Sequence, residues 1–439
     1  MESIGIASRP NEQQLERRRR RTAEMLGFHD EILLIGAGSP IPVPGGLDRV
    51  HPFTPHPHYL WLTGHTRGGG VLAYDAAENR WTDFVPPTSD AERIWEGAGD
   101  APGTPLDLLT SWLRERADRR AALLGTPSAL IEAVLPQADL TESADFAILA
   151  ARRIKDDAEL STIQAAVRAT AMGFEAARET IARPHATERL IQIELEAACF
   201  RAGGDSMGYD TIVGVGGNAA VLHFAPGDRP VAPGDAILID AGCSIGGYTA
   251  DVTRTFGRAP LSPRLAQIHA IVLDAERFGV SRCVPGQEWR ELHLLVAERL
   301  AAGLVHLGIL KGEPAGLVEQ DAHAVFFPHG LGHLVGLGVR DASGYLPGRA
   351  RSERFGLASL RMDLPLEAGM VTTVEPGLYF IPRLLRDLAL RERHANAIDF
   401  EAAEAWIGLG GVRIEDNIHV TESGPVNMTE TIPHVLEAK

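Results

Sequence analysis

The sequence predicts an α/β protein made of two domains, and three observations lead to this prediction. The chain has 439 residues, more than one ordinary hydrophobic core supports. Short apolar runs alternate with helix-like stretches through roughly the first 150 residues, which is typical of an α/β domain. Near residue 152 a new pattern begins, where Asp156 and Asp157 precede apolar residues at helical spacing. We therefore predict domains at residues 1–154 and 155–439.

Composition argues against several kinds of partner. Lys and Arg number 42 against 58 Asp and Glu, a net charge of −16, which disfavours nucleic acid and anionic membranes. Cys199, Cys243 and Cys283 are far apart and odd in number, so no disulfide framework is predicted. The amino terminus lacks an apolar signal region, and no apolar run approaches the roughly 20 residues of a membrane span. We expect a cytoplasmic protein.

The first domain has strand and helix patterns without evident catalytic chemistry. Runs such as EILLIGAG, GGVLAYD and RAALLG are typical of strands, and PLDLLTSWLRERADRRAALL is typical of a helix. The five arginines from Arg17 to Arg21 are expected on a solvated helix face, because Glu16 and Glu24 flank them. The histidines of HPFTPHPHYLWLTGHT lie among prolines without acidic partners, which favours a loop over a metal site.

The second domain begins with two predicted helices and continues into strands that carry acids. Apolar spacing predicts helices over residues 152–181 and 186–203. VAPGDAILIDAG is a turn and a strand that ends near Asp240, and the next strand, YTADVTRTF, carries Asp251. Two carboxylates that face each other across a hairpin repel. The pair alone therefore also fits acids at exposed strand ends.

An internal repeat strengthens the functional interpretation. PGDAILIDAG and AGMVTTVEPG share the frame Gly-x5-acid-x-Gly, with Asp240 in the first and Glu375 in the second. Such a repeat predicts a pseudo-symmetric domain with a carboxylate in each half. Glu415 lies in a third Val- and Ile-rich segment, and His329 and His333 lie four residues apart in FFPHGLGHLVGLGVRD. Either histidine alone is more often structural, but together with three acid-bearing strands they predict a site.

Four carboxylates and one imidazole form a ligand set suited to two divalent metal ions: Asp240, Asp251, His333, Glu375 and Glu415. Burying such carboxylates unpaired would cost several kcal/mol each, whereas two dications compensate their charge. Oxygen-rich ligation with one nitrogen favours Mn²⁺, and Co²⁺, Zn²⁺ or Fe²⁺ also suit it. Paired ions activate water and polarise a carbonyl or phosphoryl oxygen. Hydrolysis is therefore the predicted reaction class.

These motifs resemble those of the pita-bread metallopeptidases, the family of prolidase, aminopeptidase P and methionine aminopeptidase. The resemblance rests on IDAG…YTADVTRTF, PHGLGH, VEPGLYF and GVRIED, in that order, and covers about residues 155 to 439. The preceding segment, with YLWLTG, resembles the N-terminal domain of prolidases and aminopeptidase P. The stretch between the two glutamate motifs resembles the bacterial Xaa-Pro dipeptidase branch, which includes enzymes that also hydrolyse organophosphorus esters. The resemblance implies a creatinase/prolidase-type α/β domain followed by a pseudo-symmetric pita-bread catalytic domain.

The resemblance also implies a role for each metal ligand. Asp240 would chelate one metal, and Asp251 and Glu415 would bridge both. His333 and Glu375 would complete the second metal. Glu375 would in addition carry a proton from the attacking water to the leaving nitrogen.

Four further residues match positions that contact substrate or support the ligands in this family. His223 would contact substrate, and His329 would steady the scissile carbonyl. Arg413 would support the ligands, although a strand-end surface arginine is an alternative. Arg361 matches the prolidase arginine that receives the free carboxylate of a dipeptide, with a solvated loop arginine as the alternative. For His223 an ordinary loop histidine remains open.

One position departs from the family pattern. The family usually reads His-x6-His-Asp after the ligand histidine, whereas GHLVGLGVRD places Arg340 at the later histidine. Arginine cannot serve as a neutral acceptor or a proton shuttle. Its charge can hold a carboxylate or a tetrahedral oxyanion, so Arg340 could bind a C-terminal carboxylate with Arg361 or in its place.

The resulting prediction is a dinuclear Xaa-Pro dipeptidase that acts on small dipeptides with a C-terminal proline. The resemblance further implies a homodimer. Two alternatives remain open. One is an aminopeptidase for longer Xaa-Pro peptides, which Arg361 argues against. The other is a catalytically impaired pita-bread binding protein, which Arg340 favours and the complete ligand set disfavours.

Overall fold

The computed structural model describes residues 10–125 and 139–438. These residues form two compact units, which divide between Arg152 and Arg153. The predicted domain limits, 1–154 and 155–439, remain predictions. None of the helices in the described ranges is long and apolar enough to cross a membrane.

The first unit is a mixed five-stranded sheet with helices around it. The strands are β1 Ile32–Gly36, β2 Val71–Asp75, β3 Arg80–Val85, β4 Thr104–Pro105 and β5 Ala121–Leu124. Strand β1 pairs antiparallel with β2 and parallel with β5, and β3 pairs antiparallel with β2 and parallel with β4. The sheet order is therefore β4-β3-β2-β1-β5. The helices are α1 Glu12–Leu26, α2 Pro57–Thr63, α3 Asp90–Trp95, α4 Leu109–Arg114 and α5 Thr141–Arg153, the last of which ends at the boundary.

The expectation of a fully solvated arginine face on α1 is wrong for Arg18. This side chain is 5% exposed, and its Nη1 donates to the carbonyl of Trp61 at 3.1 Å. Arg19 donates to the carbonyl of Leu62 at 3.0 Å. Both carbonyls belong to the last turn of α2, where no intrahelical donor is available. Arg18 follows buried Leu15 by three positions, so it falls on the inward face of α1 and caps α2.

The second unit opens with the two predicted helices, α6 Asp157–Ala182 and α7 Glu188–Arg201. Asp156 caps α6, since its side chain accepts a hydrogen bond from the Glu159 amide. The Glu159 side chain in turn accepts one from the Asp156 amide. The remaining helices are α8 Pro263–Ser281, α9 Trp289–His306, α10 Pro314–Glu319, α11 Pro382–Leu385, α12 Leu388–Arg393 and α13 Phe400–Glu404.

The strands of the second unit form several small sheets rather than one large sheet. Its earlier strands are β6 Ser206–Met207, β7 Ile212–Val215, β8 Ala236–Ala241, β9 Cys243–Ile245, β10 Tyr248–Thr249 and β11 Val252–Gly257. Its later strands are β12 Gly344–Tyr345, β13 Met362–Asp363, β14 Val371–Val374, β15 Gly377–Tyr379, β16 Gly411–Arg413, β17 Asp416–Thr421 and β18 Gly424–Asn427. The largest sheets have three strands each, in the orders β11-β8-β7, β10-β9-β6 and β14-β17-β18.

Two broken antiparallel ladders give the second unit its internal symmetry. In the first ladder, β8 pairs with β11 and β9 pairs with β10. The break between β10 and β11 contains Asp251. In the second ladder, β14 pairs with β17 and β15 pairs with β16. Glu375 lies in the break between β14 and β15, and Glu415 lies in the break between β16 and β17. The register is the same on both sides of each break, so Glu375 lies opposite Glu415. The predicted repeat therefore corresponds to two similar ladders that bring acids to their breaks.

The hydrophobic core fixes the faces of these ladders. Val374 and Ile414, which precede Glu375 and Glu415, are fully buried in a cluster that also contains Trp289 of α9. Side chains alternate along an extended chain. Burial of the apolar neighbours therefore turns the two glutamates toward the opposite face, where the functional site lies.

Candidate functional site

A cleft of about 680 Å³ in the second unit is lined by every residue predicted for the site. The predicted ligands are Asp240, Asp251, His333, Glu375 and Glu415, and the other predicted residues are His223, His329, Arg340, Arg361 and Arg413. The structure therefore brings together residues that are up to 192 positions apart, from His223 to Glu415. Their individual roles remain predictions.

Main-chain and side-chain hydrogen bonds hold the bridging acids at the strand breaks. Asn417 accepts from the Asp251 amide at 3.0 Å and donates to the Asp251 carbonyl at 2.6 Å. Thr253 donates its hydroxyl to Oε2 of Glu415 at 2.7 Å, and the Glu415 amide donates to the Thr253 carbonyl at 3.0 Å. These bonds join the two halves of the domain, so each acid is positioned by a strand of the other half.

The acids are buried and close enough to destabilise one another when ionised. Asp251 is 5% exposed and Glu415 is 2% exposed. Burial, reinforced by Asp240, raises the pKa of Asp251 well above its usual value. Burial and Asp251 do the same to the pKa of Glu415, and burial raises the pKa of Glu375 to about 7. These directions identify a negative cluster that lacks sufficient compensating charge from the protein alone.

His333 has the tautomer that a metal ligand requires. Its Nδ1 lies 3.1 Å from the Leu334 carbonyl, which can only accept, so Nδ1 carries the proton. Burial lowers the pKa of His333 to about 4, and Nε2 therefore keeps its lone pair. That nitrogen faces Oδ2 of Asp251 at 3.4 Å and Oε1 of Glu375 at 3.8 Å. A lone pair aimed at two carboxylates is unfavourable unless a cation lies between them.

The donor set therefore fits divalent metal. Asp251, His333 and Glu415 each offer one ligand atom, and these atoms lie within 4.8 Å of one another. A second acidic group, Glu276 and Asp416 with His434, satisfies the same distance, but Asp416 already pairs with Arg254 at 2.7 Å and His434 at 2.7 Å. Within the described residues, no Lys or Arg forms an ion pair with Asp251 or Glu415, and the only predicted ligand paired with an arginine is Asp240, which pairs with Arg413.

That arginine, Arg413, is buried in the site and is not at a strand-end surface. It is 4% exposed, and its Nη2 donates to Asp240 at 2.5 Å. Its Nε donates to Thr253 at 3.0 Å, and its Nη1 donates to the Tyr379 hydroxyl at 2.7 Å. Arg413 thus joins the predicted ligand Asp240, the strand that supports Glu415, and buried Tyr379 of β15.

Tyr379 in turn orients His329. Nδ1 of His329 donates to the Gly330 carbonyl at 2.9 Å, which leaves Nε2 unprotonated because burial lowers the pKa of His329 to about 3. The Tyr379 hydroxyl therefore donates to Nε2 across 2.9 Å. Tyr379 was missed by the sequence prediction, although it lies within the VEPGLYF motif.

Tyr209 is a second residue that the sequence prediction missed. Its hydroxyl lies 2.7 Å from Oδ1 of Asp240 and 2.5 Å from Oδ1 of Asp251. It lines the cleft. Nothing in the spacing around GYDTIVG connects this residue to acids 31 and 42 positions later, so only the fold places it there.

The chain matches a family profile over more than half its length. The profile of metallopeptidase family M24 covers residues 161–422. The chain belongs to metallopeptidase family M24. A second profile, the N-terminal domain of aminopeptidase P, matches residues 15–103. Membership in M24 confirms the predicted pita-bread family and the α/β fold, and its members use divalent metals.

Similar proteins cover nearly all of this M24 chain. A probable Xaa-Pro aminopeptidase of Fusarium vanettenii is 31% identical over 88% of this chain and 86% of its own length. The structure of aminopeptidase PepP from Pseudomonas aeruginosa matches with a TM-score of 0.80 at 26% identity, over 97% of this chain and 96% of that one. Aminopeptidase P of E. coli with the inhibitor Pro-Leu matches with a TM-score of 0.79 at 26% identity, over 98% and 97%.

Two predicted substrate arginines lie at the rim of the M24 cleft. Arg340 and Arg361 are both exposed, and no ion pair involves either of them within residues 10–125 and 139–438. Partial burial and the charge of Arg340 lower the pKa of Arg361, which places the two guanidinium groups in the same region. His223 also lines the cleft and is exposed. The geometry leaves these side chains available to a ligand, while their roles remain predictions.

Proposed function

We propose that this M24 chain is a divalent-metal-dependent Xaa-Pro aminopeptidase, which removes the residue that precedes a proline from the amino end of a peptide. The observation that carries the proposal is the convergence of Asp251, His333 and Glu415 on one buried point of an open cleft. The names of the similar fungal and bacterial proteins support this choice. They support the aminopeptidase alternative better than the dipeptidase that the motifs first favoured, whose specificity is unconfirmed.

The ions would be held by the five predicted ligands: Asp240, Asp251, His333, Glu375 and Glu415. When bound, they supply Lewis-acid polarisation and lower the pKa of water, which suits amide hydrolysis. Mn²⁺ remains the favoured ion because oxygen ligands predominate. The cytoplasmic location and the homodimer also remain predictions.

The residues around the ligands would perform the remaining tasks. Glu375 takes a proton from the attacking water and delivers it to the proline nitrogen, which cannot leave as an anion. His329, held in one orientation by Tyr379, lies against the scissile carbonyl and steadies the charge that develops there. Arg413 keeps Tyr379 and Asp240 in place through its three hydrogen-bonded nitrogens.

The dipeptidase remains a second candidate because of the rim arginines. Arg361 and Arg340, which form no ion pair with any other residue that the structure describes, present positive charge to the cleft, and a free C-terminal carboxylate pairs well with a guanidinium group. A strict dipeptidase would use this pairing to exclude longer peptides. An aminopeptidase would instead accept a further peptide residue after the proline, where the dipeptide has its C-terminal carboxylate.

Hydrolysis of Leu-Pro and Leu-Pro-Gly in the presence of Mn²⁺ distinguishes the candidates. Cleavage of the tripeptide supports the proposal, whereas cleavage of the dipeptide alone supports the dipeptidase. Asp251→Asn should reduce kcat/KM by about a thousandfold, since it removes a ligand charge. Asp274→Asn is the matched control, because Asp274 is exposed and pairs with Arg299 at 3.4 Å on the surface. Failure of both peptides with metal bound would favour an impaired binding protein.

A further inference from the structure

Glu188 is a buried carboxylate that closes a loop at the wall of the cleft. It is fully buried at the first turn of α7. We define the His223 loop as residues 216–227, which follow β7 and include a 3₁₀ turn at Gly216–Ala220. Oε1 of Glu188 accepts from the Val215 amide at 2.9 Å and from Nδ2 of Asn218 at 2.8 Å. Oε2 accepts from the Gly227 amide at 3.1 Å. One side chain therefore binds the start and the end of the loop.

Hydrogen bonding alone compensates this carboxylate. Among the residues described by the structure, Glu188 has no ion-pair partner, so the N–H donors of Val215, Asn218 and Gly227 compensate its carboxylate. Hydrogen bonds to a buried charged acceptor are stronger than those between neutral groups. These hydrogen bonds therefore hold both ends of the loop on the Glu188 side.

The apolar residues of the loop fix its other side. Leu222 and Phe224 pack against a buried cluster that includes Leu238 of β8 and Tyr379. His223 lies between them, is exposed, and lines the cleft together with both neighbours. The loop is thus attached to the same tyrosine that orients His329.

We propose that Glu188 is a positioning residue that holds the His223 loop as a substrate-binding wall of the cleft. It touches no predicted ligand, and it acts through Leu222, His223 and Phe224. The part of this inference that concerns substrate rests on the proposed aminopeptidase function. The anchoring of the loop does not.

Glu188→Gln is the informative substitution because it preserves shape. A glutamine has only one acceptor oxygen, so its NH₂ group must face at least one of the N–H donors from Val215, Asn218 or Gly227. Amide hydrogen exchange at positions 215–227 should accelerate at least about tenfold in the free protein. With a Leu-Pro-Gly substrate, KM should rise about tenfold while kcat stays within about twofold. Mn²⁺ affinity measured by calorimetry should not change.

A double-mutant cycle with His223→Ala tests whether Glu188 acts through the loop. If it does, Glu188→Gln should add less than about twofold to KM once His223 is absent. Glu159→Gln is the matched control: Glu159 is 1% exposed and bonds to its helix cap and to Tyr248, away from the cleft lining. It should lower the thermal midpoint without changing KM or the exchange of the loop.

Unchanged exchange in Glu188→Gln would overturn the anchoring. An unchanged KM in Glu188→Gln would overturn the link to substrate. So would a double variant whose fold-increase in KM equals the product of the increases in the two single variants. If the wild-type protein cleaves no Xaa-Pro peptide at all, the proposed function fails, whereas the exchange measurement still decides whether Glu188 anchors the loop.

Discussion

In this M24 protein, one backbone carbonyl determines the tautomer of each of two histidines in the cleft. His333 and His329 lie four residues apart, and each donates Nδ1 to the carbonyl of the following residue. Nε2 is therefore unprotonated in both histidines. In His333 it faces carboxylates, and in His329 it faces the Tyr379 hydroxyl. The first arrangement suits a metal ligand, and the second suits a residue that contacts a reacting carbonyl. The same local turn thus supports two distinct predicted tasks.

Arg340→His should alter the response to the carboxylate of a substrate. We expect the ratio of kcat/KM for Leu-Pro-Gly over Leu-Pro-Gly-amide to fall about three- to tenfold, because a fixed positive charge at the rim is lost. Steady-state kinetics at pH 8, where histidine is neutral, measure this ratio. Arg383→His is the control, since Arg383 is exposed on α11 and does not line the cleft. An unchanged ratio would exclude carboxylate binding by Arg340.

At the scale of secondary structure, interrupted strands explain how acids enter a sheet interior. In continuous strands, the main chains of Glu375 and Glu415 would form ladder hydrogen bonds like those of their neighbours. The breaks between β14 and β15 and between β16 and β17 release them while the ladders continue in register. Close approach of the PHGLGH segment to β14 then brings His333 to the acids, with its amide bonded to the Thr373 hydroxyl at 3.0 Å.

Gly332→Ala should disturb this close approach. A Cβ at position 332 would lie 2.3 Å from the Thr373 carbonyl oxygen, which belongs to the backbone and cannot move aside cheaply. We expect a loss of about 1–3 kcal/mol in unfolding free energy and weaker Mn²⁺ binding. Denaturant unfolding and calorimetry measure these effects. Gly316→Ala, where no atom of the described residues would lie within 4 Å of the added Cβ, should leave both almost unchanged. Normal metal affinity in Gly332→Ala would contradict the proposed role of this contact.

Asp75→Asn should weaken the first unit in a pH-dependent manner. Asp75 ends β2, and burial raises its pKa, but hydrogen bonds from Arg119 and Arg116 outweigh burial and lower the pKa to about 2. The ionised form is thus favoured by folding, and the stabilisation, about 2 kcal/mol, is complete above pH 4 and is lost as the pH falls toward 2. Urea unfolding should show a large difference between wild type and variant at pH 7 and a small one at pH 2.5.

Asp100→Asn provides the comparison for this measurement. Asp100 is exposed and pairs with Arg93 at 2.6 Å. Exposed pairs contribute little to stability. An Asp75→Asn effect of equal size at pH 7 and pH 2.5 would show that it arises from packing rather than from charge.

At the scale of the whole molecule, metal would connect the two halves of the second unit. Asp240 and Asp251 come from one ladder, and Glu375 and Glu415 come from the other. The hydrogen bonds of Thr253 and Asn417 already cross between the ladders. Ions shared by both sets of acids would add to these links and relieve the repulsion among the buried carboxylates.

Metal removal should therefore lower the thermal midpoint of the second unit. Mn²⁺ at 100 times its dissociation constant contributes about 2.7 kcal/mol, or a shift of about 5 °C in a domain of this size. Differential scanning calorimetry after chelation and after Mn²⁺ addition measures the shift. In Asp251→Asn the shift should be small. An equal shift in the variant would place the stabilising metal elsewhere.

The sequence by itself determined the α/β class, the repeat and the family, because these depend on local periodicity and on short motifs that lie within single strands and turns. It also identified the acids and histidines that meet in the cleft, since their motifs contain them. The proposal of an aminopeptidase rather than a dipeptidase rests on comparison with similar proteins, because the motifs that carry the ligands resemble both branches.

Only the tertiary structure decided how residues that are distant in sequence meet. Tyr209 reaches Asp240 and Asp251, and Glu188 closes the His223 loop, through contacts that no local pattern encodes. Arg18 is buried for a similar reason, because another helix presents carbonyls to it. In each case a polar group is stabilised by a partner that becomes a neighbour only after the chain has folded.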